Sequence, residues 1–439
     1  MTHKVIATLS FIAASGVLFL SSAACGRGSP AEPAAPSAPA GHAAAAARAK
    51  QDGRIRFLEE RATRDPLDVF SLNSLAREHM QRARETGDVS ELALAEGALN
   101  RSLGIRLNDN YEGIVLLASV SATKHDFARA LDLAQAAIPL KPREAFGYGV
   151  LGDAYMGLGR YEDADFAYQK MVDIEPDLPA FGRRALLFQN RGMTDEAEAS
   201  WKAALQRADG DGVPEHSAWA RAQLANFYFT IGRIDDAGKQ YQASLDAFPR
   251  YVHALAGLGR VAAANGDLTG AADNYTSAIE AVPLPEYVIA LGDVYAAAGD
   301  SRNADAQYAL VGAIEQLYAA NGVNLDLQIG MFNADHDRNI ALTVARAQAA
   351  YAEQPSIQAA DVLAWVQYKA GDIDEATSAI EQALRTGTRD PLILFHAGMI
   401  YRRAGNAAKA KGYLTAVERQ NPQFSILQAP VARDVLREL

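Results

Sequence analysis

The chain has 439 residues, 42 of them Lys or Arg against 53 Asp or Glu, and a single cysteine. The acidic balance, with no basic stripe interleaved with aromatics, argues against a nucleic-acid partner; the lone cysteine excludes an internal disulfide and a cysteine-based zinc site. The length exceeds one ordinary compact core, and no alternating apolar–polar pattern stands out, so the chain reads as all-helical.

Residues 1–24 read as a secretory signal peptide: Lys4, an uncharged apolar run from Val5 to Leu20, then the small residues Ser21 to Ala24. Ser22-Ala23-Ala24-Cys25 resembles a bacterial lipobox, with Ser22 where Leu is usual, and makes Cys25 the expected lipidation site. Cleavage after Ala24 by an ordinary signal peptidase and retention as an uncleaved anchor are the two other fates open to this segment. Gly26 after the cysteine implies, by the lipoprotein resemblance, sorting to an outer membrane. The expected location is exported, in the cell envelope and facing the periplasm. Loss of the leader removes Lys4 and leaves 41 basic against 53 acidic side chains, a net charge of −12. Such a body does not favour an anionic bilayer surface, so membrane contact is expected through the lipid anchor only. Residues 25–53 are rich in Ala and Pro and read as a semi-stiff tether, long enough for a standoff of roughly 85 Å when extended at about 3.1 Å per residue.

From 54 to 429 the sequence repeats itself. Alanine returns at Ala130, Ala164, Ala197, Ala237, Ala271, Ala304, Ala376 and Ala410, in steps of 33 or 34 residues except where a six-residue insertion and a degenerate unit intervene. Five residues before most of them stands a glycine, from Gly159 to Gly405, and twelve after several stands a proline, from Pro142 to Pro422. A fixed period near 34 means stacked helix pairs, each packing on its neighbours. Small residues let two helices cross closely, glycine enters the left-handed turn freely, and proline ends one pair and opens the next. Residues 430–439 predict a C-terminal capping helix, with Val431, Val435 and Leu439 on one face.

These units resemble tetratricopeptide repeats. The clearest copy, 145–178, carries Tyr148, Leu151, Gly152, Tyr155, Gly159, Tyr161, Ala164, Tyr168 and Pro176 at the positions of that pattern. Segments 252–285, 285–318 and 391–424 follow it closely, 111–144, 178–211, 218–251 and 357–390 less so, and 68–107 and 324–356 are degenerate. The resemblance implies a right-handed superhelical solenoid of about ten units, whose first helices line a concave groove. Transferred here, one groove column reads Ser119, Asp153, Leu186, Asn226, Arg260, Asp293, Trp365 and Met399; its neighbour reads Met156, Gln189, Phe229, Tyr368 and Arg402. Aromatic and Arg side chains of this kind anchor protein interfaces, so a partner's amphipathic segment is the expected occupant. The lysine–asparagine clamp that some family members use for chaperone C-termini is missing, its lysine column reading Val115, Gly149, Gly182, Ala222, Ala256 and Ile289.

Catalytic and metal signals are weak. Gly147 to Gly152 spells the dinucleotide-binding string, which needs a strand before it and here falls inside a helix. Asp209-Gly210-Asp211-Gly212 lacks the third ligand pair and closing glutamate of a calcium loop and reads as the turn that accommodates the insertion. Asp335-His336-Asp337 reads as an exposed turn; as a metal site it would support the alternative function, a ligand- or metal-delivery accessory of a membrane transporter. The expectation is a non-enzymatic protein-binding scaffold tethered to the bacterial envelope, with no cofactor.

Overall fold

The computed structural model describes residues 40–439, with side chains from residue 48 onward; the leader, Cys25 and the first part of the tether lie outside the described residues. The end of the expected tether is helical, because α1 spans Ala40–Arg64. The last proline of that stretch is Pro39, and the alanine run that follows is the best of helix formers. Gln51 is already buried on α1, and Ile55 and Leu58 join one cluster with Leu75, Ala76 and Met80, so the packed body begins before residue 54.

Ten helix pairs follow among the described residues, each with a first (A) and a second (B) helix. They are α2/α3 (Val69–Thr86, Ser90–Ile105), α4/α5 (Tyr111–Thr123, Phe127–Ala137), α6/α7 (Ala145–Gly157, Tyr161–Ile174) and α8/α9 (Leu178–Asn190, Thr194–Asp211). Next come α10/α11 (Pro214–Thr230, Ile234–Ala247), α12/α13 (Val252–Ala264, Leu268–Ala281) and α14/α15 (Pro285–Ala297, Ser301–Ala320). The last three are α16/α17 (Asp326–Asp335, Ile340–Glu353), α18/α19 (Ile357–Ala370, Ile373–Ala383) and α20/α21 (Pro391–Arg403, Ala407–Gln420), followed by α22 (Gln428–Glu438). The fold is an all-α superhelical solenoid, as the repeat predicts.

The repeated residues do what the spacing requires. Every alanine of the column is at most 3% exposed. A Cβ built on Gly152 would lie 2.2 Å from the Tyr168 ring, and one on Gly292 would lie 2.4 Å from that of Tyr308, so glycine is what allows the A and B helices to cross there. The insertion is absorbed by longer helices: α9 has 18 residues and α10 has 17. Gly212 closes α9 in the left-handed region at φ 73°. Ahead of it, Asp209 pairs with Arg221 and Asp211 with His216, so the acidic run fastens two helices together.

The superhelix is tight enough that one turn rests on the next. Four A/B turns of the early units each meet an inter-unit turn roughly 195 residues later. His125 Nδ1 donates to the Asn324 carbonyl (2.6 Å) across 199 residues, and the Tyr161 hydroxyl accepts from Ile357 N–H (2.8 Å) across 196. Thr386 Oγ1 donates to the Asn190 carbonyl (2.5 Å) across 196, and Asn421 Nδ2 to that of Phe229 (2.6 Å) across 192. Nearly six units therefore complete a turn. At three of these contacts a carbonyl oxygen presses on a glycine Cα: a Cβ would sit 2.1 Å from it at Gly159, 2.2 Å at Gly192 and 2.0 Å at Gly232. At the equivalent turns of Gly266, Gly299, Gly371 and Gly405 no later turn is docked among the described residues, and a Cβ there would meet nothing within 4 Å.

Charge follows the same division. At their points of contact the docked inter-unit turns read Gly-Val-Asn (322–324), Gln-Pro-Ser (354–356), Thr-Gly-Thr (386–388) and Gln-Asn-Pro (420–422), all neutral, although Arg385 and Arg389 flank the third and Arg385 donates to the Pro355 carbonyl. Their counterparts on the free edge of the first turn include Lys-Pro-Arg (141–143), Glu-Pro-Asp (175–177) and Pro-Arg-Tyr (249–251). Desolvating a charge is expensive and desolvating an amide or hydroxyl far less so.

Candidate interaction site

The groove positions expected from the sequence lie on the A helices, and the tight superhelix buries many of them. Asp153, Phe229, Trp365 and Met399 are buried, as is Ser119; Asn226, Arg260, Asp293 and Tyr368 are half-buried; Arg402 is exposed. Trp365 donates through Nε1 to Asp335 (2.8 Å) and stacks between Tyr368 (4.7 Å) and His396 (4.2 Å). Arg402 pairs with Glu438 of α22, so the capping helix covers part of the C-terminal groove.

Three of the column residues carry a recurrent hydrogen-bonded triad. An A-helix acceptor takes a tyrosine hydroxyl from its own B helix, 15 residues on, and a basic side chain from the next A helix. In the first, Tyr168 donates to Asp153 (2.9 Å), and Arg183 grips the same carboxylate with Nε (2.9 Å) and Nη2 (2.8 Å). In the third, Tyr308 and His336 Nε2 each lie 2.8 Å from Asp293 Oδ1. Burial opposes the charged imidazole, but the hydrogen bond and charge of Asp293 prevail and hold His336 above its ordinary pKa. In the middle triad Tyr241 donates to Asn226 Oδ1 (2.6 Å), while Arg260 Nη2 reaches Asn226 (3.0 Å) and Tyr241 (3.1 Å). Arg183, Tyr168, Tyr241 and Tyr308 were not among the sequence candidates, and His336 was one only as part of the Asp335–Asp337 turn. The fixed acceptor-to-tyrosine spacing of 15 is the signal that could have found the tyrosines; the basic partners, 30, 34 and 43 residues on, follow no fixed spacing.

The interior around Arg260 is aromatic. The guanidinium carbon lies 4.0 Å from the Phe229 ring centroid, a cation–π distance. Tyr251, His253 and Tyr287 follow edge to face, with His253 Nδ1 2.6 Å from the Tyr287 hydroxyl. Burial pushes the His253 pKa down to about 4, which leaves it neutral at pH 7. Where the two superhelical turns meet, a cavity of about 180 Å³ opens among Met156, Leu186, Gln189, Gln354, Thr388 and Gln420.

The remaining motifs do not assemble into sites. Gly147 to Gly152 lies within α6, where Gly147 N–H donates to the Tyr111 hydroxyl (3.2 Å). The side chains of Asp335, His336 and Asp337 diverge, to Trp365, to Asp293 and to Lys369 respectively. Asp335 and Asp337 cannot share an ion with His336 without abandoning those partners. Among the described residues no three His, Cys, Asp or Glu side chains converge as a metal site, and no helix is long and apolar enough to cross a membrane.

Tetratricopeptide-repeat models match residues 147–178, 223–284 and 362–423, so the chain carries such repeats in its early, middle and late parts. No curated protein matches it. Among solved structures, a thermophilic TPR protein of Thermus thermophilus is similar at 26% identity, covering 41% of this chain and 94% of that one, with a TM-score of 0.36. PilW, a type IV pilus biogenesis factor, is similar at 18% over 47% of this chain and 94% of its own, TM-score 0.39. Human IFIT1 is similar at 16% over 84% and 94%, TM-score 0.45.

Proposed function

We propose that this protein is a non-enzymatic scaffold that binds a segment of a cell-envelope protein on its concave face and is held to the membrane by a lipid on Cys25. The observation that supports partner binding is the stack of repeats whose A-helix side keeps Asn226, Arg260, Tyr368 and Arg402 within reach of solvent. Rigid aromatic and Arg side chains on a preformed surface bind at low entropic cost. The tethering rests on the apolar run and lipobox-like residues up to Cys25. The acidic repeats would then stand off from the bilayer, facing the periplasm, with the tether ahead of α1 as spacer.

A photo-crosslinking amino acid at Tyr368, on the concave side, tests the binding face in intact cells. Phe166, which is 64% exposed on a B helix, supplies the convex control. A partner captured from the Tyr368 position and not from Phe166 is the expected result; crosslinks from Phe166 alone would refute groove binding. For the anchor, Cys25→Ser is expected to release the protein from membranes or leave its precursor uncut, and unchanged fractionation and migration would refute lipidation.

A further inference from the structure

We infer that Arg260 is the receptor for a carboxylate side chain of the bound partner, so that the segment in the groove carries Asp or Glu at this point. The inference rests on the partner-binding reading above and names the chemistry of its central contact.

The argument comes from the three triads. In the first, Asp153 neutralises Arg183 through both carboxylate oxygens. In the third, Asp293 faces His336 at 2.8 Å. At the middle triad the same A-helix position is Asn226, and its amide oxygen offers Arg260 one hydrogen bond but no charge. Arg260 takes part in no ion pair among the described residues, and only its Nη2 is hydrogen-bonded, to Asn226 and Tyr241. Nε and Nη1 remain as donors. A planar guanidinium presents its donors in a fork that fits a carboxylate, and here one side of that fork is unfilled.

The surroundings strengthen the charge. Phe229 covers one face of the guanidinium at 4.0 Å, and Tyr241 and Tyr275 are buried neighbours in the same interior. His253 is held neutral there, and Asp293, the column's next carboxylate, is engaged by Tyr308 and His336. A cation among neutral rings and hydroxyls attracts an anion more strongly than one in water does. An extended occupant also has a precedent within the chain. The non-helical stretch 421–427 crosses this interior, with Asn421 bonded to the Phe229 carbonyl and Ile426 packed against the cluster of Tyr275, Tyr287 and Leu291.

Full-length protein is titrated with a capped tri-glutamate peptide and with its tri-glutamine counterpart, which is neutral and nearly isosteric. A preference of about tenfold or more for the glutamate peptide is expected, since a hydrogen bond to a charged group discriminates on that scale. Arg260→Met should erase the preference. Asn226→Asp should erase it too, by supplying the missing carboxylate in place, and should melt at or above the wild-type temperature. That second variant keeps the test decisive if the first folds poorly. The inference is overturned if the preference survives in both variants or is absent from the wild type, or if Asn226→Asp melts lower. A crosslinked partner with no glutamate preference leaves the scaffold standing without this site, whereas the preference with no concave crosslink leaves the site and removes the scaffold.

Discussion

Replacing one glycine in each of two nearly identical turns isolates the contact between superhelical turns. Gly232 and Gly266 both end an A helix, with φ of +79° and +80°. A Cβ at Gly266 meets nothing within 4 Å, whereas at Gly232 it meets the Gln420 carbonyl oxygen at 2.0 Å. Gly266→Ala therefore incurs only the left-handed backbone cost, about 1–2 kcal/mol. Gly232→Ala incurs the same cost and must also push the 420–422 turn away by more than 1 Å to reach the ~3.3 Å or more of an ordinary carbon–oxygen contact. That displacement breaks the hydrogen bonds from Asn421 to the Phe229 carbonyl (2.6 Å) and from Gln420 to the Thr230 carbonyl (3.2 Å). At about 0.5–1.5 kcal/mol each, they bring the total for Gly232→Ala to about 2–5 kcal/mol. Hydrogen exchange is the fitting assay, because a solenoid unfolds in parts and one melting temperature would average over them. Backbone amides of 420–429 should exchange faster in Gly232→Ala and as in wild type in Gly266→Ala, with the His125–Asn324 contact unaffected in both. Equal protection of 420–429 in the two variants would show that the turns of the superhelix do not rest on one another.

Three further outcomes are expected. In α21, Ala410 is fully buried and Ala408 is exposed, so Ala410→Leu should destabilise by roughly 1–3 kcal/mol through overpacking and Ala408→Leu should not; equal denaturation midpoints would place the repeat frame out of register. Asp153→Ala leaves Arg183, 1% exposed, without its carboxylate, and should cost about 3–5 kcal/mol, an effect that a loss under 1 kcal/mol in the same denaturation experiment would contradict. Because His336 has its pKa raised in the fold, its ion pair with Asp293 contributes fully below the unfolded value near 6.5 and fades as pH rises through the folded value. The stability gap between wild type and Asp293→Asn should accordingly be wider at pH 6 than at pH 9, and a gap independent of pH would refute the pairing.

The period of alanines and glycines by itself determined the helix pairs, their number and where they cross. The alanines and the glycines at the helix crossings answer to neighbours within about 34 positions, a distance over which sequence spacing and space run in parallel. The fully buried column from Ala130 to Ala410 and the tyrosine rings over Gly152 and Gly292 are of this kind. How tightly the pairs coil is another matter, because it depends on a small rotation per unit summed over nearly six of them. Only the tertiary structure decided that Gly232 touches Gln420, and that Asp153 and Trp365 face buried partners. The neutral residues at the contact points of the turns from 322 to 422 carried a trace of this closure, legible once the superhelical period was known. Arg260 shows both halves of the lesson. Its place in a groove column followed from the repeat, but the absence of a carboxylate beside it appears only when three A helices, their tyrosines and the intervening aromatic rings stand together.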